Sequence, residues 1–402
     1  MTVALTPPYA EKEVEEMVPR DAVIVDAVRT PVGKRNGSLA GWHAADLSAH
    51  VLRSLARRSA LDPALVDDVI WGCVEQVGQQ GNNVGRSAVL AAGWPESVPA
   101  TTIDRQCGSS QQSVHFGAAG LIAGHYDVVV AGGVEIMSAV PIGSSRRVSE
   151  LGEPGGPGVR ERYGVTFNQG VGAEMMVDKW SLTRQQLDEF ASASHEKLAA
   201  AADAGRFEAQ LTPVPLEGGA MLSADEGLRR GTTPETLAGL KPAFKEGGSI
   251  HAGNASQISD GSAALLMMTS EKATELGLRP IVRVHTAVVA GDDPVMMLSA
   301  PIAATHKALS RSGLSVDEIG VFEVNEAFAS VPMAWLIETG ADATRLNPLG
   351  GAIAIGHPLG ASGARLMTTL VHHMRDQNIR YGLQTMCEGG GMANATILEL
   401  VD

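Results

Sequence analysis

A chain of 402 residues, 44% apolar and 19% charged, can bury a large core, and its length implies two or three domains or one large layered one. The net charge of −14 argues against nucleic acid as the main partner and against an anionic membrane surface. No apolar run reaches the roughly 18 to 20 residues of a membrane helix, so no membrane insertion is expected.

Taken in chain order, residues 1–20 hold Pro7, Pro8 and an acidic stretch at 11–16. A secretory signal needs an apolar core and a transit peptide avoids acids, so this segment reads as a flexible tail. Residues 22–28 are apolar at nearly every position, as in a strand buried on both faces. Leu47, Val51, Leu52 and Leu55 then form the stripe of an amphipathic helix. Cys73, in Trp71-Gly72-Cys73-Val74, reads as a structural residue of a strand.

Cys107 sits in a different setting, the turn Asp104-Arg105-Gln106-Cys107-Gly108-Ser109-Ser110, with a helix-like stretch at 114–122 after it. A thiol at a helix N-terminus faces the positive dipole end and free amides, which lower its pKa from about 8.5. The bland alternative is a buried, inert cysteine. Residues 128–133 form another buried strand, ending in glycines. Strands alternating with helices imply an α/β architecture.

Between 137 and 257 the texture changes. Glu153-Pro154-Gly155-Gly156-Pro157-Gly158 reads as a loop, and Thr183-Arg184-Gln185-Gln186 as the capping-box start of a helix. Arg206, Arg229, Arg230, Lys241 and Lys245 concentrate positive charge there. An inserted, loop-rich subdomain that covers a binding site is expected.

The last third carries three further turns. Asn325-Glu326-Ala327-Phe328 closes a strand at 321–324; Asn325 could orient a water or donate to an oxyanion, or simply cap a helix. His357 lies in Gly356-His357-Pro358, where Pro358 suits the first helical position and makes His357 a candidate N-cap. A general base must rest neutral, which a helix N-terminus favours; the alternative is a capping histidine without chemistry. Cys387 precedes Gly389, Gly390 and Gly391, whose amides can form an anion nest beside a second acid/base thiol, or a plain hairpin. Three cysteines give no disulfide framework, and two of them in such turns imply a reducing compartment, the cytoplasm.

The two ends of the chain also repeat each other. Val66-Asp67-Asp68-Val69 matches Val316-Asp317-Glu318-Ile319, an offset of 250 residues, and the same offset carries Cys107 onto His357. The two turns are thus expected at equivalent strand-to-helix junctions of two related halves, brought together by a pseudo-twofold.

Jointly these motifs resemble the thiolases, the thioester-dependent Claisen enzymes that include acetyl-CoA acetyltransferase and 3-ketoacyl-CoA thiolase. The resemblance spans residues 21–402 and rests on the Cys107 turn, Gly132-Gly133-Val134-Glu135-Ile136-Met137-Ser138, Ala252-Gly253-Asn254-Ala255-Ser256, and the turns at Asn325, His357 and Cys387. It implies a five-layered αβαβα fold of two duplicated halves with an inserted loop domain. Residues 1–20 would be the tail, 21–136 with 258–279 the N-terminal half, 137–257 the loop domain over the CoA and substrate site, and 280–402 the C-terminal half.

The resemblance also implies roles. Cys107 is the acylated nucleophile, His357 its base, and Cys387 the acid/base for the enolate and for coenzyme A. Asn325 holds a water that forms one oxyanion hole with His357, and the amides of Cys107 and Gly389 form the other. Ser256 contacts pantetheine, Arg229 and Phe244 the nucleotide end of CoA, and Gln169, Ala327 and Phe328 the substrate. Coenzyme A is a co-substrate, with no permanently bound cofactor and no metal. A homotetramer or homodimer is expected.

Two positions depart from the family pattern. Ser110 stands where the family often has Gly, and Asn168-Gln169 where short-chain biosynthetic members tend to have His-Met. The second resembles degradative members acting on bulky or steroid side chains. The rivals are an acetoacetyl-CoA-specific biosynthetic thiolase, a ketoacyl synthase, a Cys-His-Asn hydrolase, and a non-catalytic acyl-CoA or sterol carrier. Ketoacyl synthases use one cysteine and two histidines, so Cys387 counts against that rival; the CoA-contact turn and the second thiol count against the hydrolase.

Overall fold

The computed structural model describes residues 20–147, 152 and 154–401; the tail expected at 1–20 lies outside it except for Arg20. Twelve strands are present among these residues: β1 (Val23–Arg29), β2 (Gly33–Lys34), β3 (Asp68–Gly72), β4 (Ala100–Ile103), β5 (Val128–Ile136), β6 (Val214–Pro215), β7 (Met221–Leu222), β8 (Ser259–Met268), β9 (Val282–Gly291), β10 (Val321–Val324), β11 (Tyr381–Glu388) and β12 (Met392–Leu400). The helices are α1 (Ala44–Ser59), α2 (Val84–Ala91), α3 (Ser109–Ile122), α4 (Gly156–Tyr163), α5 (Gln169–Lys179), α6 (Arg184–Asp203), α7 (Pro234–Ala238), α8 (Ser270–Glu275), α9 (Ala300–Ser312), α10 (Ser330–Thr339), α11 (Ala352–Ile355) and α12 (Leu359–Gln377).

The main strands follow the order β10-β11-β12-β9-β1-β8-β5-β3-β4, which reads as two similar half-sheets back to back. The halves meet where β1 pairs antiparallel with β9, through Val23↔Arg283 and Ile24↔Val282 alone. In each half a strand pair is parallel, β3 with β5 and β10 with β11, and the remaining neighbours toward the centre run antiparallel.

Because side chains alternate along a strand, each half-sheet buries two faces. Val128 and Val130 of β5 face α1 and its Leu47, Val51 and Leu55. Val129 and Ala131 face inward, toward Val114 and Leu121 of α3 and Met367 and Leu370 of α12. Val321 of β10 and Leu398 of β12 reach this same central layer, while Phe322, Leu383 and Ile397 turn outward to α9 and to Trp335 of α10. The stack is therefore helix, sheet, helix, sheet, helix, the αβαβα arrangement expected from the sequence.

The duplication is real but its register differs from the expected one. α1 ends on Ala60 in the left-handed conformation and α9 on Gly313. Short 3-10 turns follow at Pro63–Leu65 and Val316–Glu318, capped by Val66 and Ile319. Pro63 thus matches Val316, a spacing of 253 residues, so the alignment of Val66 onto Val316 slips by three. The helix starts keep the offset of 250, since Gly108 caps α3 and Pro358 caps α12. Loops between the elements absorb the difference, as loops tolerate length change.

α3 and α12 touch backbone to backbone at their N-terminal ends. A Cβ on Gly363 would lie 2.2 Å from the Gln111 amide nitrogen, and Ala364 N donates to Ser110 Oγ at 2.8 Å. Thr183 caps α6 with the full capping box. The run at 153–158, expected to be loop, instead opens α4: Gly155 turns with φ 90° and Pro157 takes a first-turn position, where its missing N–H costs nothing. Glu153 itself lies outside the described residues.

Candidate active site

β4 ends at Ile103 and the chain turns sharply before α3. Asp104 Oδ1 accepts from the Gln106 amide at 2.6 Å, and Gln106 adopts a left-handed φ of 49°. Cys107 follows, one residue before the cap Gly108. A Cβ at 108 would stand 1.9 Å from Glu388 Oε1 and 2.3 Å from Asn394 Oδ1, so any side chain there would have to displace one or both. The expected lowering of the thiol pKa is not found. Burial, then the nearby Glu388 charge, pushes Cys107 up to about 12. Desolvation outweighs the helix end here, and the thiol rests protonated.

His357 occupies the matching place before α12, but Pro358 rather than His357 is the cap. Its Nδ1 lies 2.5 Å from Ser362 Oγ, and Ser362 Oγ donates to the Pro358 carbonyl at 2.8 Å. Having spent its proton there, the hydroxyl accepts, so Nδ1 carries the hydrogen. Nε2 then keeps its lone pair and faces Asn325 Nδ2 at 3.4 Å. Burial, with help from Arg365, pushes His357 down to about 3. The imidazole is neutral, with Nε2 unprotonated and accepting from Asn325 Nδ2, the protonation state a base requires.

Asn325 follows β10 and caps no helix, since α10 starts only at Ser330. Its Oδ1 is buried with no hydrogen-bond partner among the described residues. Cys387 lies on β11 opposite Ala393, is almost fully buried, and packs with Ala327, Phe328 and Met297. Burial raises its thiol well above the ordinary value, and Cys107 adds to this. The next turn closes on the first: a Cβ on Gly389 would stand 2.7 Å from Gln106 Oε1. Cys73 lies just past β3, fully buried, with Sγ 3.9 Å from Glu135 Oε1; burial raises its pKa strongly, and it lines neither of the cavities at these turns.

Two adjoining cavities join these turns. The inner one, about 280 Å³, is lined by Cys107, Gln106, Gly389, Phe167, Asn168 and Met297. The outer one, about 520 Å³, is lined by His357, Ser256, Ala327, Phe328 and Arg229. Ile142, Gln169, Phe244 and Leu359 line both. Every expected site residue except Asn325 and Cys387 therefore lines a cavity; those two are buried, Asn325 beside His357.

The walls are tied together. Ser256 N donates to Ala327 O at 2.9 Å and Ala329 N to Asn254 O at 2.9 Å, so the 252–256 turn clamps onto the 325–328 turn. Phe244 packs edge-on against Phe328, with ring centroids 5.9 Å apart. Arg229 N donates to His195 Nδ1 at 3.2 Å. Lys34, Arg35 and Arg229 line the outer cavity, and their side chains form no ion pair among the described residues, so the mouth is basic in an acidic chain. Ser362 and Glu388 were not singled out from the sequence. Glu388 stood within the quoted Cys387 turn; Ser362, four residues past Pro358, was legible only as a helix residue.

The chain also matches known proteins over nearly its whole length. Residues 22–271 match the model of the thiolase N-terminal domain and 278–400 that of the thiolase C-terminal domain. The chain is 49% identical to a steroid 3-ketoacyl-CoA thiolase of Mycobacterium tuberculosis, covering 94% of each. It is 43% identical to an acetyl-CoA acetyltransferase of Pseudomonas aeruginosa, over 94% of this chain and 99% of that one. The crystal structure of the Bacillus anthracis acetyl-CoA acetyltransferase superposes with a TM-score of 0.88 at 36% identity, covering 95% and 99%. With two cysteine-bearing turns meeting at one cavity, a neutral histidine lining the adjoining one, and these matches, the chain belongs to the thiolase family of acyltransferases.

Proposed function

We propose that this chain cleaves 3-ketoacyl-CoA with coenzyme A, giving acetyl-CoA and a shortened acyl-CoA, through an acyl-Cys107 intermediate, and runs the reverse Claisen condensation. The observation that carries this is the meeting of the 104–108 and 387–391 turns at one cavity, with Cys107 and Gly389 both on its wall. His357 Nε2 takes the Cys107 proton and the sulfur attacks the 3-keto carbon. The bond between C2 and C3 breaks, its electron pair forming the acetyl-CoA enolate. Cys387 gives that enolate a proton at C2. Coenzyme A then enters, its thiol proton restores Cys387, and its sulfur takes the acyl group from Cys107, whose thiolate recovers the proton held by His357.

Two anions arise in one cleft, and each needs its own donors. The Cys107 and Gly389 amides serve one; His357 and a water held by Asn325 serve the other, which the unpaired Asn325 Oδ1 supports. Ser256 contacts the pantetheine arm, and Arg229 and Phe244 the nucleotide end, consistent with the basic mouth. Residues 137–257 act as the domain covering the site, between the halves 21–136 with 258–279 and 280–402. The protein works in a reducing cytoplasm, as its paired thiols require, and as a homodimer or homotetramer.

For substrate we favour a bulky, degradative acyl chain, Gln169, Ala327 and Phe328 lining its path. The steroid-thiolase relative and the joined inner and outer cavities support this. A thiolysis assay across acetoacetyl-CoA, a long-chain and a steroid 3-ketoacyl-CoA tests it. At least about tenfold higher kcat/KM on the bulky substrates is expected; a preference for acetoacetyl-CoA would favour the biosynthetic reading, which the acetyl-CoA acetyltransferase relative supports. Cys107→Ser should abolish acylation, whereas Cys387→Ala should still acylate but lose Claisen turnover by about 100-fold or more. Mass spectrometry with a ketoacyl-CoA checks both, and an adduct on Cys73 instead would sink the mechanism.

A further inference from the structure

The duplication sets two buried glutamates in equivalent places. Val69 and Phe322 are equivalent, and they pair with Val130 of β5 and Leu383 of β11. Glu135 and Glu388 therefore match, each near the end of its strand. Their surroundings differ sharply. Glu135 accepts from Val74 N (2.9 Å), Glu75 N (3.2 Å), Gln80 Nε2 (2.7 Å) and Gly360 N (2.8 Å). Four donors suit a carboxylate.

Glu388 is fully buried and neither of its oxygens makes a hydrogen bond of good geometry. Oε1 instead crowds the same point above Gly108 as Asn394 Oδ1, another buried oxygen without a donor. As oriented, the Asn394 amide donates from Nδ2 to Gln112 Oε1 at 3.0 Å and reaches His115 Nδ1 at 3.3 Å, which turns its Oδ1 toward Glu388. Two acceptors facing each other out of water repel unless one carries a proton. Asparagine cannot, so the acid must.

We propose that Glu388 is a positioning residue for the nucleophile: as a neutral acid it donates its proton to Asn394 Oδ1 and closes the network beneath Gly108, and on ionising it sets a negative charge against Cys107 that opposes the thiolate. The ionisation is a plain loss of a proton to solvent. The groups facing Glu388 fit this. Arg105 from the turn before Cys107 and the Asn394 backbone N–H favour the ionised form, while Asp104 from the same turn adds negative charge that opposes it. The two thiols rest neutral, and His115 of α3, pushed down to about 3 by burial, adds no cation. Burial dominates and holds Glu388 up to about 8.

The inference rests on Cys107 being the nucleophile, but its test does not need turnover. The rate of iodoacetamide alkylation at Cys107, followed by peptide mass spectrometry, is compared between the wild-type enzyme and E388Q from pH 6 to 10. The amide of glutamine can still donate to Asn394 but cannot ionise. Equal rates are expected near neutrality, with E388Q faster by roughly tenfold on the alkaline side, as one displaced titration implies. Rates that coincide at every pH, or differ by one constant factor, would overturn the proposal. Should E388Q fail to fold, Glu388→Ala carries the same comparison, since it also removes the ionising group. Absence of thiolysis by the wild-type enzyme would instead overturn the functional proposal and leave the alkylation result standing.

Discussion

At His357 a hydroxyl four residues past the cap decides which ring nitrogen carries the hydrogen. Ser362→Ala removes that acceptor, frees the ring to rotate, and lets the other tautomer form. We expect a fall in kcat/KM on the order of tenfold or more, part of the contribution of a positioned base, with Tm little changed. Steady-state kinetics beside thermal melting checks it; an unchanged kcat/KM would show that the ring is held by packing alone. Asn325→Ala should cost more, about 100-fold, if its amide completes a hole for developing charge. Cys107, His357, Cys387 and the turns around them were legible in sequence because their chemistry is local: a thiol or imidazole in a run of small residues. Ser362 and Glu388 were not, because their meaning depends on what lies opposite them across 5 and 280 residues. The direction of the Cys107 shift also escaped, since a helix end is visible in sequence and the depth of burial is not.

Among the elements, α3 and α12 matter most, because Cys107 and His357, the proposed nucleophile and base, stand at their starts. They meet through Gly363, and a methyl group there would stand 2.2 Å from the Gln111 nitrogen. Backbone cannot yield as a side chain can, so Gly363→Ala should destabilise by about 1–3 kcal/mol, the usual range for overpacking. It should also lower activity by spreading the two helices. Denaturant unfolding and thiolysis of the same preparation test this, and a loss of stability with full activity would break the link between helix contact and catalysis. The capping box of α6 was readable as Thr183 followed by Gln186, and it formed. The helix at α4 was hidden by Gly155 and Pro157, residues that suit a helix start as well as a loop. The three-residue slip in the repeat has a similar cause. Similar residues, Val-Asp-Asp-Val and Val-Asp-Glu-Ile, follow a 3-10 turn in one half and form the turn and its cap in the other.

Over the whole molecule, buried titratable groups set how stability follows pH. His115 and His357 are pushed down to about 3 from an ordinary 6.5, and Glu323 and Glu388 up to about 8 from 4.5. Below 6.5 the unfolded chain takes up protons on the histidines that the folded chain refuses, so stability drops as pH falls. Above 4.5 the unfolded chain releases carboxyl protons that the folded chain keeps, so stability drops as pH rises toward 8. The two slopes oppose each other between 4.5 and 6.5. Tm should therefore be highest in that window and decline on both sides, by up to about 1.4 kcal/mol per group and pH unit. Melting scans from pH 4 to 9 check this; a Tm still rising from 6.5 to 8 would contradict it. The sequence by itself determined the family and the layered α/β duplication and singled out the candidate reacting side chains, because glycine turns, hydrophobic periodicity and a long-range repeat are written in the order of residues. Only the tertiary structure decided which proton each of those side chains holds. Protonation depends on burial and on facing partners, and folding brings Gly108, Glu388 and Asn394 together from opposite ends of the chain.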